Sequence, residues 1–183
     1  ANFTTPPDGA LPRMQIYPGT VAPVLSVLTP ITIAGTLLSY PARFGPQNYS
    51  VTGDVALADD GAGVSANDGC EALVNNVAGK IVLVDRGNCL FKGKVRNAEL
   101  AGAIGVIVAN DDLADLTAMR DDNSIPAVTI PSVLIGKSDG LTIKNALSDT
   151  VTVSLNGVQR DGAFDNNVII HEYGHGLSTR LTG

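Results

Sequence analysis

The sequence predicts an α/β fold, a sheet with flanking helices, from one strand–helix–strand unit and from its core composition. An apolar run at 81–84 lies between turn residues, helical spacing begins at Phe91, and a second apolar run begins at Ile104. Such a unit implies parallel pairing of the two strands through a right-handed crossover. Aromatic residues make up only 4% of the chain, so Val, Ile, Leu and Ala form the core, a composition typical of many short strands.

The remaining elements follow from periodicity and turn residues. Six prolines lie in residues 1–30. They predict an extended segment that is stabilised by contacts with residues outside it. Phe91 to Ala101 has the spacing of a helix with Val95 on its apolar stripe, whereas Lys92 and Lys94 lie off that stripe. The other expected elements are strands at 31–38, 51–58, 125–130 and 151–155, a Gly/Asp-rich loop at 59–69, and a helix capped by Ser138 that runs to Leu147.

Length and charge limit the possible functions. The 183 residues suffice for one domain with a real core and additional segments. The net charge of −6 and the lack of a Lys/Arg cluster argue against nucleic acid and against an anionic membrane as partners. No apolar run approaches the roughly 18 residues of a membrane span. No signal peptide is recognisable, so we expect the chain to begin at a processing site or inside a longer protein.

The chain has two cysteines, Cys70 and Cys89. One interpretation is a disulfide, which implies an oxidising compartment; the other is a pair of buried free thiols. Turn residues surround both cysteines, which favours the bridge. In the chain-entropy description, closing a loop of this size stabilises the fold by about 3 kcal/mol.

Both histidines of the chain lie in one motif, His171-Glu172-Tyr173-Gly174-His175. On a helix, positions i and i+4 share a face, so the two imidazoles can bind one zinc ion while Glu172 acts as a general base on a water. The alternative is a surface helix with two unrelated histidines. A zinc site of this type needs a third protein ligand, and the sequence ends at Gly183 without supplying one.

The residues around this motif resemble a known family. The stretch 160–183, which includes Gly176-Leu177-Ser178 and Arg180-Leu181-Thr182-Gly183, is similar to the active-site helix of the fungalysins, which are secreted zinc metallopeptidases of thermolysin-like arrangement. Residues 1–9 and 12–17 are similar to the stretch that precedes that helix. The resemblance implies that His171 and His175 are zinc ligands and that Glu172 is the catalytic base. It also implies a third ligand, a glutamate, beyond Gly183, and places the segment around Asn2 and Phe3 at the edge of the substrate cleft.

The intervening residues resemble a protease-associated (PA) domain. The matching stretches are 79–91, Lys94, Ala98, 101–103, 105–110, 125–128 and 136–140. This resemblance implies a β/β/α fold, a mixed-sheet sandwich or open barrel with two to three flanking helices, and a Cys70–Cys89 bridge. It implies a role in substrate or partner contact rather than in chemistry.

Together the two resemblances predict an insertion. Residues 1–19 would be the N-terminal flank of a peptidase domain, 20–157 an inserted PA domain, and 158–183 the start of the peptidase's active-site helix. Because an inserted domain needs its two ends close together, we expect residues near 25–30 to lie beside residues near 155–160.

The expected function is that of a part of a secreted, extracellular zinc metalloendopeptidase. Its PA domain would recruit or restrict protein or peptide substrates beside the host catalytic domain. The alternative is a stand-alone PA binding module without activity. We expect the chain alone to be inactive, because the third zinc ligand is absent.

Two further features carry weaker signals. Calcium is a second candidate cofactor, but the acidic pairs Asp59-Asp60, Asp111-Asp112 and Asp121-Asp122 lack calcium-loop spacing and are expected to be solvated loop tips. The triplets that begin at Asn2 and Asn48 match the N-glycosylation pattern.

Overall fold

The computed structural model describes residues 2–4, 13–15, 19–20, 24–61, 63–87, 89–111, 118–121, 123, 125–157 and 159–160. The chain divides into two compact units, the first formed by Ala1–Val21 with Gln159–Gly183 and the second by Ala22–Val158. In the first unit, strand β1 (Asn2–Thr4) pairs antiparallel with β2 (Arg13–Gln15). Strand β3 (Gly19–Thr20) pairs antiparallel with β12 (Gln159–Arg160).

The second unit is one mixed sheet of eight strands with two helices, which confirms the predicted α/β class. The strand order across the sheet is β5-β4-β11-β7-β8-β9-β10-β6. The elements of this unit are β4 (Val24–Thr29), β5 (Gly35–Leu37), β6 (Ser39–Pro41), β7 (Tyr49–Leu57), β8 (Ile81–Asp85), α1 (Phe91–Leu100), β9 (Gly105–Ala109), β10 (Ser132–Ile135), α2 (Lys137–Ala146) and β11 (Thr152–Gly157).

Strand β7 joins an antiparallel half of the sheet to a parallel half. Its first part pairs antiparallel with β11, as in Val51 opposite Leu155, and its last three residues pair parallel with β8, as in Val55 opposite Ile81. Strands β8, β9 and β10 are also paired in parallel, and β6 pairs antiparallel with β10 at that end of the sheet. The strand–helix–strand prediction is therefore confirmed.

The parallel strands separate two apolar cores. Because alternate side chains of a strand point to opposite faces, Val82 and Val84 enter one core while Ile81 and Leu83 enter the other. Helix α1 covers the first core through Val95 and Ala98, and helix α2 covers the second through Ile143. Burial on both faces explains why β8 and β9 are uninterrupted apolar runs rather than alternating ones.

The prediction of a strand at 125–130 is wrong; the strand on that side of the sheet is β10, which begins seven residues later, at Ser132. Thr129 donates its backbone N–H to a Glu99 carboxylate oxygen instead of to a strand neighbour. Strand β10 has only four residues, between Pro131 and Gly136. A run this short between two turn-forming residues carries little periodicity.

Other boundaries also differ from the prediction. Only 35–37 of the expected strand 31–38 is extended, because residues 31–33 form a turn after the cis peptide Thr29–Pro30. The segment 24–29, predicted to be braced from outside, is instead the sheet strand β4. Ser138 does not cap α2, because Gly136 occupies the N-cap position and no side chain caps the helix.

The two ends of the second unit lie side by side. Leu25 pairs with Leu155 and Val24 pairs with Asn156, because β4 and β11 are antiparallel neighbours. This is the adjacency that an inserted domain requires. Among the described residues, no helix is long and apolar enough to cross a membrane.

Candidate functional site at the C-terminal edge of the parallel strands

The predicted zinc site lies outside the described residues. His171, Glu172 and His175 all fall in 161–183, and the side chains of Asn2 and Phe3 are also outside. Of the predicted site residues, Cys70 and Cys89 are described. The geometry that follows concerns the second unit alone.

Arg86 is a positioned cation at the C-terminal edge of the parallel strands, the edge where open α/β sheets bind ligands. It follows β8 directly, and its backbone N–H extends the ladder by donating to Ala109 O at 2.8 Å. Its Nη1 donates to Oδ1 of the buried Asn110 at 2.8 Å, and its Nε lies 3.5 Å from Oδ1 of Asp111. Its guanidinium carbon lies 5.5 Å from the centroid of the Phe91 ring. The side chain is still 40% exposed, so a partly solvated guanidinium with a fixed orientation remains available to a ligand.

An ion pair anchors the neighbouring residue on the same edge. Lys144 of α2 donates to both carboxylate oxygens of Asp85, at 2.6 Å and 2.5 Å. The pair ties α2 to the end of β8. Asp85 and Arg86 thus follow one another in sequence but have different partners: Asp85 pairs with a lysine of α2, and Arg86 contacts Asn110 and Asp111 after β9.

The disulfide Cys70–Cys89 is present, with 5.7 Å between the two Cα atoms. Cys70 lies in the long connection between β7 and β8, and Cys89 lies just before α1. The bridge therefore staples the β7–β8 connection to the loop that begins with Arg86. This finding selects the disulfide interpretation over the pair of free thiols.

Lys94 and Lys92 of α1 are buried, although the sequence places both of them off the apolar stripe of the helix. Lys94 is 0% exposed; its Nζ donates to Asp68 O at 2.6 Å and lies 3.2 Å from Cys70 Sγ. Lys92 is 5% exposed, and its Nζ lies 2.6 Å from Asp121 Oδ1. Loops cover this side of the helix, so residues off the apolar stripe still lose contact with water.

Burial lowers the pKa of Lys94, and nearby carboxylates oppose that shift. In order of their effect these are Asp68, Asp60, Asp85 and Glu71. Carboxylate oxygens of three of them, Asp60, Asp68 and Glu71, lie within 4.8 Å of one another. Asp60 and Asp68 are each 3% exposed, so the expectation that Asp60 sits on a solvated loop tip is wrong. Glu71 is exposed, and the lysine ammonium offsets the negative charge of the two buried carboxylates.

An open groove of about 450 Å³ runs along α1 beside the disulfide. Its wall is fixed by Asn97, whose Nδ2 donates to Gly69 O and Cys70 O at 3.0 Å each. Arg96 is held by Glu99 at 2.7 Å. Burial raises the pKa of Glu99, but hydrogen bonds from Thr129 and Arg96 outweigh burial and lower it below its usual value. The lining residues are Cys70, Cys89, Leu90, Gly93, Arg96, Asn97 and Ile125.

The mixed sheet, its two covering helices and the disulfide-linked edge define a compact α/β domain. Comparison with known proteins gives its family: the model of the PA domain matches residues 51–143, and the chain belongs to the PA domain family. The PA resemblance drawn from the sequence is confirmed.

The curated relatives include peptidase-like proteins and sorting receptors by name. Signal peptide peptidase-like 3 of Arabidopsis thaliana is 38% identical over 121 residues, which cover 65% of this chain and 22% of that protein. Vacuolar-sorting receptor 1 of Pisum sativum is 38% identical over 148 residues, which cover 72% of this chain and 23% of that protein. The chain therefore spans less than a quarter of the length of these relatives.

Solved structures with the same fold include peptidases. An aminopeptidase from Aneurinibacillus sp. strain AM-1 matches with a TM-score of 0.58 and 25% identity, over 78% of this chain and 32% of that chain. The zinc aminopeptidase BSAP from Bacillus subtilis matches with a TM-score of 0.53 and 25% identity, over the same shares. Domains of this fold thus occur in zinc peptidases.

Proposed function

We propose that this chain is part of a secreted zinc metalloendopeptidase of the fungalysin type, and that its PA domain recruits or restricts protein substrates. The observation that carries the proposal is the His171-Glu172-Tyr173-Gly174-His175 motif, with its fungalysin-like flanks, in the same chain as a PA domain. The similarity to aminopeptidase structures supports a peptidase context. The disulfide supports an oxidising, extracellular compartment.

In this proposal the terminal segment supplies the chemistry of the parent enzyme. His171 and His175 would hold a zinc ion, which when bound polarises a water and a peptide carbonyl. Glu172 would accept the proton of the attacking water and pass it to the leaving amine. A glutamate beyond Gly183 would complete the ligand set, so the chain alone is expected to bind zinc weakly and to be inactive.

The domain boundaries of the proposal are those expected from the sequence: 1–19 and 158–183 from the host, and 20–157 as the insertion. The pairing of Val24 with Asn156 supports it, because both chain ends leave the PA domain from adjacent strands. In this proposal the inserted domain is covalently attached to the peptidase at both of its ends. It raises the effective concentration of any substrate that it binds.

The site proposed for recruitment is the edge that carries Arg86, together with the groove along α1. Arg86 offers N–H donors to a backbone carbonyl or a carboxylate of an extended peptide, and Arg is well suited to paired contacts of this kind. The apolar groove walls beside Leu90 would take a side chain of the same peptide. The expected partners are thus protein or peptide substrates and the host catalytic domain.

A second candidate is a PA binding module without catalytic activity. The similarity to a vacuolar-sorting receptor favours it, because that protein is named as a receptor and not as a peptidase. Both candidates share the Arg86 edge and differ in the role of Glu172.

One experiment separates the two candidates. The parent protein is expressed with native Glu172 and with Glu172→Gln, and casein hydrolysis is measured with added zinc and with a chelator. We expect zinc-dependent hydrolysis that the substitution reduces by about a thousandfold or more, since the general base and the polarised water act as a unit. No hydrolysis by either protein would favour the binding module, whereas equal hydrolysis by both would contradict the role of Glu172 as general base. The isolated 183-residue chain should give no turnover, and turnover by this chain would refute its expected inactivity.

A further inference from the structure

The two sulfur atoms of the disulfide have different electrostatic surroundings. The Nζ of the buried Lys94 lies 3.2 Å from Cys70 Sγ and donates to Asp68 O beside it. Cys89 precedes α1, whose N-cap residue is Leu90, so it lies near a helix N-terminus. Both environments stabilise a thiolate. A helix N-terminus is equivalent to roughly half an elementary charge, whereas an ammonium within hydrogen-bonding reach carries a full one, so Cys70 is the better leaving group.

The carboxylates around Lys94 bear on this comparison. Asp68, Asp60, Asp85 and Glu71 all favour the protonated form of Lys94. Their negative charges also oppose a thiolate at Cys70. The ammonium is nevertheless the group within hydrogen-bonding reach of the sulfur, and two of the carboxylates have donors of their own: Asp85 accepts from Lys144, and Asp68 Oδ1 accepts from the Cys70 backbone N–H.

We propose that the Cys70–Cys89 disulfide is redox-sensitive and that an incoming thiolate preferentially attacks one of its two sulfur atoms. An external thiolate attacks Cys89 Sγ, a sulfur–sulfur bond forms there, and the Cys70–Cys89 bond breaks with its electron pair on Cys70 Sγ. Lys94 stabilises the Cys70 thiolate that leaves. A second thiol of a dithiol reductant then displaces Cys89, so the protein gains two electrons and two protons and the reductant becomes a disulfide.

Reduction of the disulfide affects the edge of the PA domain that carries Arg86. Both cysteines line the groove and are partly exposed, which gives a thiol access to the bridge. After reduction Cys70 remains anchored, because Lys94 and Asn97 hold the carbonyl groups of residues 68, 69 and 70. The loop that joins Arg86 to Cys89 loses its covalent tie to that anchored segment. This regulation rests on the proposed function of the Arg86 edge, and the expected result is weaker peptide binding by the reduced domain.

The experiment maps the first product of reduction. The folded protein is exposed briefly to a limiting amount of glutathione, free thiols are blocked with iodoacetamide at once, and the adducts are located by peptide mass spectrometry. We expect glutathione on Cys89 and the blocking group on Cys70. The reverse pattern, or equal amounts of the two patterns, overturns the proposal.

Two further measurements keep the test independent of any single variant. In the fully reduced protein, the pH dependence of alkylation should give Cys70 a thiol pKa at least about one unit below that of Cys89, a tenfold difference in the ionisation constant. In Lys94→Met, provided circular dichroism shows a native fold, the preference should disappear. An equal or lower pKa at Cys89 in the wild-type protein contradicts the proposal even if the variant does not fold. A parent protein that binds no peptide would refute the proposed function while leaving the adduct pattern unchanged.

Discussion

Strands β5, β4, β11 and β7 leave one face of the sheet to solvent, whereas β8, β9 and β10 are buried on both faces. The open face carries short polar side chains that form hydrogen bonds across the strands, including Ser50 to Asn156 at 2.7 Å and Thr52 to Ser154 at 3.2 Å. The parallel half instead carries Asp85 and Arg86 where β8 ends, and the loop that follows Arg86 leads to the disulfide at Cys89. The antiparallel half thus pairs the two ends of the domain, and the parallel half presents the candidate site.

The largest loss of stability is expected from a substitution in the parallel half, because its strands are buried on both faces. Ile107 of β9 is 0% exposed, so Ile107→Ala should reduce the free energy of unfolding by about 2–5 kcal/mol through lost transfer energy and a cavity. The control is Ile31→Ala in the turn of the antiparallel half, where the side chain is 86% exposed and the change should stay within about 0.5 kcal/mol. Urea unfolding of both variants gives the comparison. Similar losses in the two variants would contradict the difference in burial.

A matched pair of glycines tests the packing of the two helices that cover the parallel half. A Cβ on Gly140 of α2 would lie 2.4 Å from Ala109 Cβ, so Gly140→Ala should cost about 1–3 kcal/mol despite the better helix propensity of alanine. A Cβ on Gly93 of α1 would meet only Ile125 Cδ1 at 3.4 Å, an ordinary contact. Gly93→Ala should therefore stabilise the domain by up to about 1 kcal/mol. Thermal unfolding measures both changes. A gain in stability in Gly140→Ala would contradict the close approach of α2 to β9, and a loss in Gly93→Ala would contradict the ordinary contact at α1.

The smallest change in stability is expected at the contact between α1 and the segment before β10. This change should depend on pH. Because hydrogen bonds from Thr129 and Arg96 lower the folded-state pKa of Glu99, Glu99 contributes stability that is present above its unfolded pKa. That contribution is lost as the pH falls through the lower, folded pKa. Glu99→Gln should remove about 1 kcal/mol at pH 7 and little at pH 2, measured by urea unfolding at each pH. A loss that does not shrink on acidification would contradict the role of the carboxylate.

The sequence was informative where physical signals are local and repeated. The runs that became β8 and β9 are continuous apolar segments on either side of an amphipathic helix, and this is the pattern that parallel strands with a covering helix require. The PA resemblance then indicated the disulfide between Cys70 and Cys89. These observations were enough for the fold class and for the family.

The parts that the sequence did not predict depend on contacts between residues that are far apart in the sequence. Lys94 is polar and lies off the apolar stripe of α1, and only the loop that carries Asp68 and Cys70 buries it. Asp60 belongs to an acidic pair that looks solvent-exposed, yet it is buried beside that lysine. Strand β10 is too short to show a period of its own. Arg86 had one local signal, its place directly after a buried strand, and its contacts with Asn110 and Phe91 come from the fold.

The most direct test of a PA domain that recruits substrate is the kinetics of the parent enzyme with Arg86→Ala, on casein and on a peptide too short to reach beyond the catalytic cleft. If Arg86 helps to bind the protein substrate, KM for casein should rise about tenfold or more, while kcat on casein and both constants for the short peptide stay unchanged. The control, Arg43→Ala, alters an exposed arginine outside this edge and should change neither substrate. Equal constants for wild type and Arg86→Ala on casein, or a parallel loss on the short peptide, would contradict recruitment at this edge.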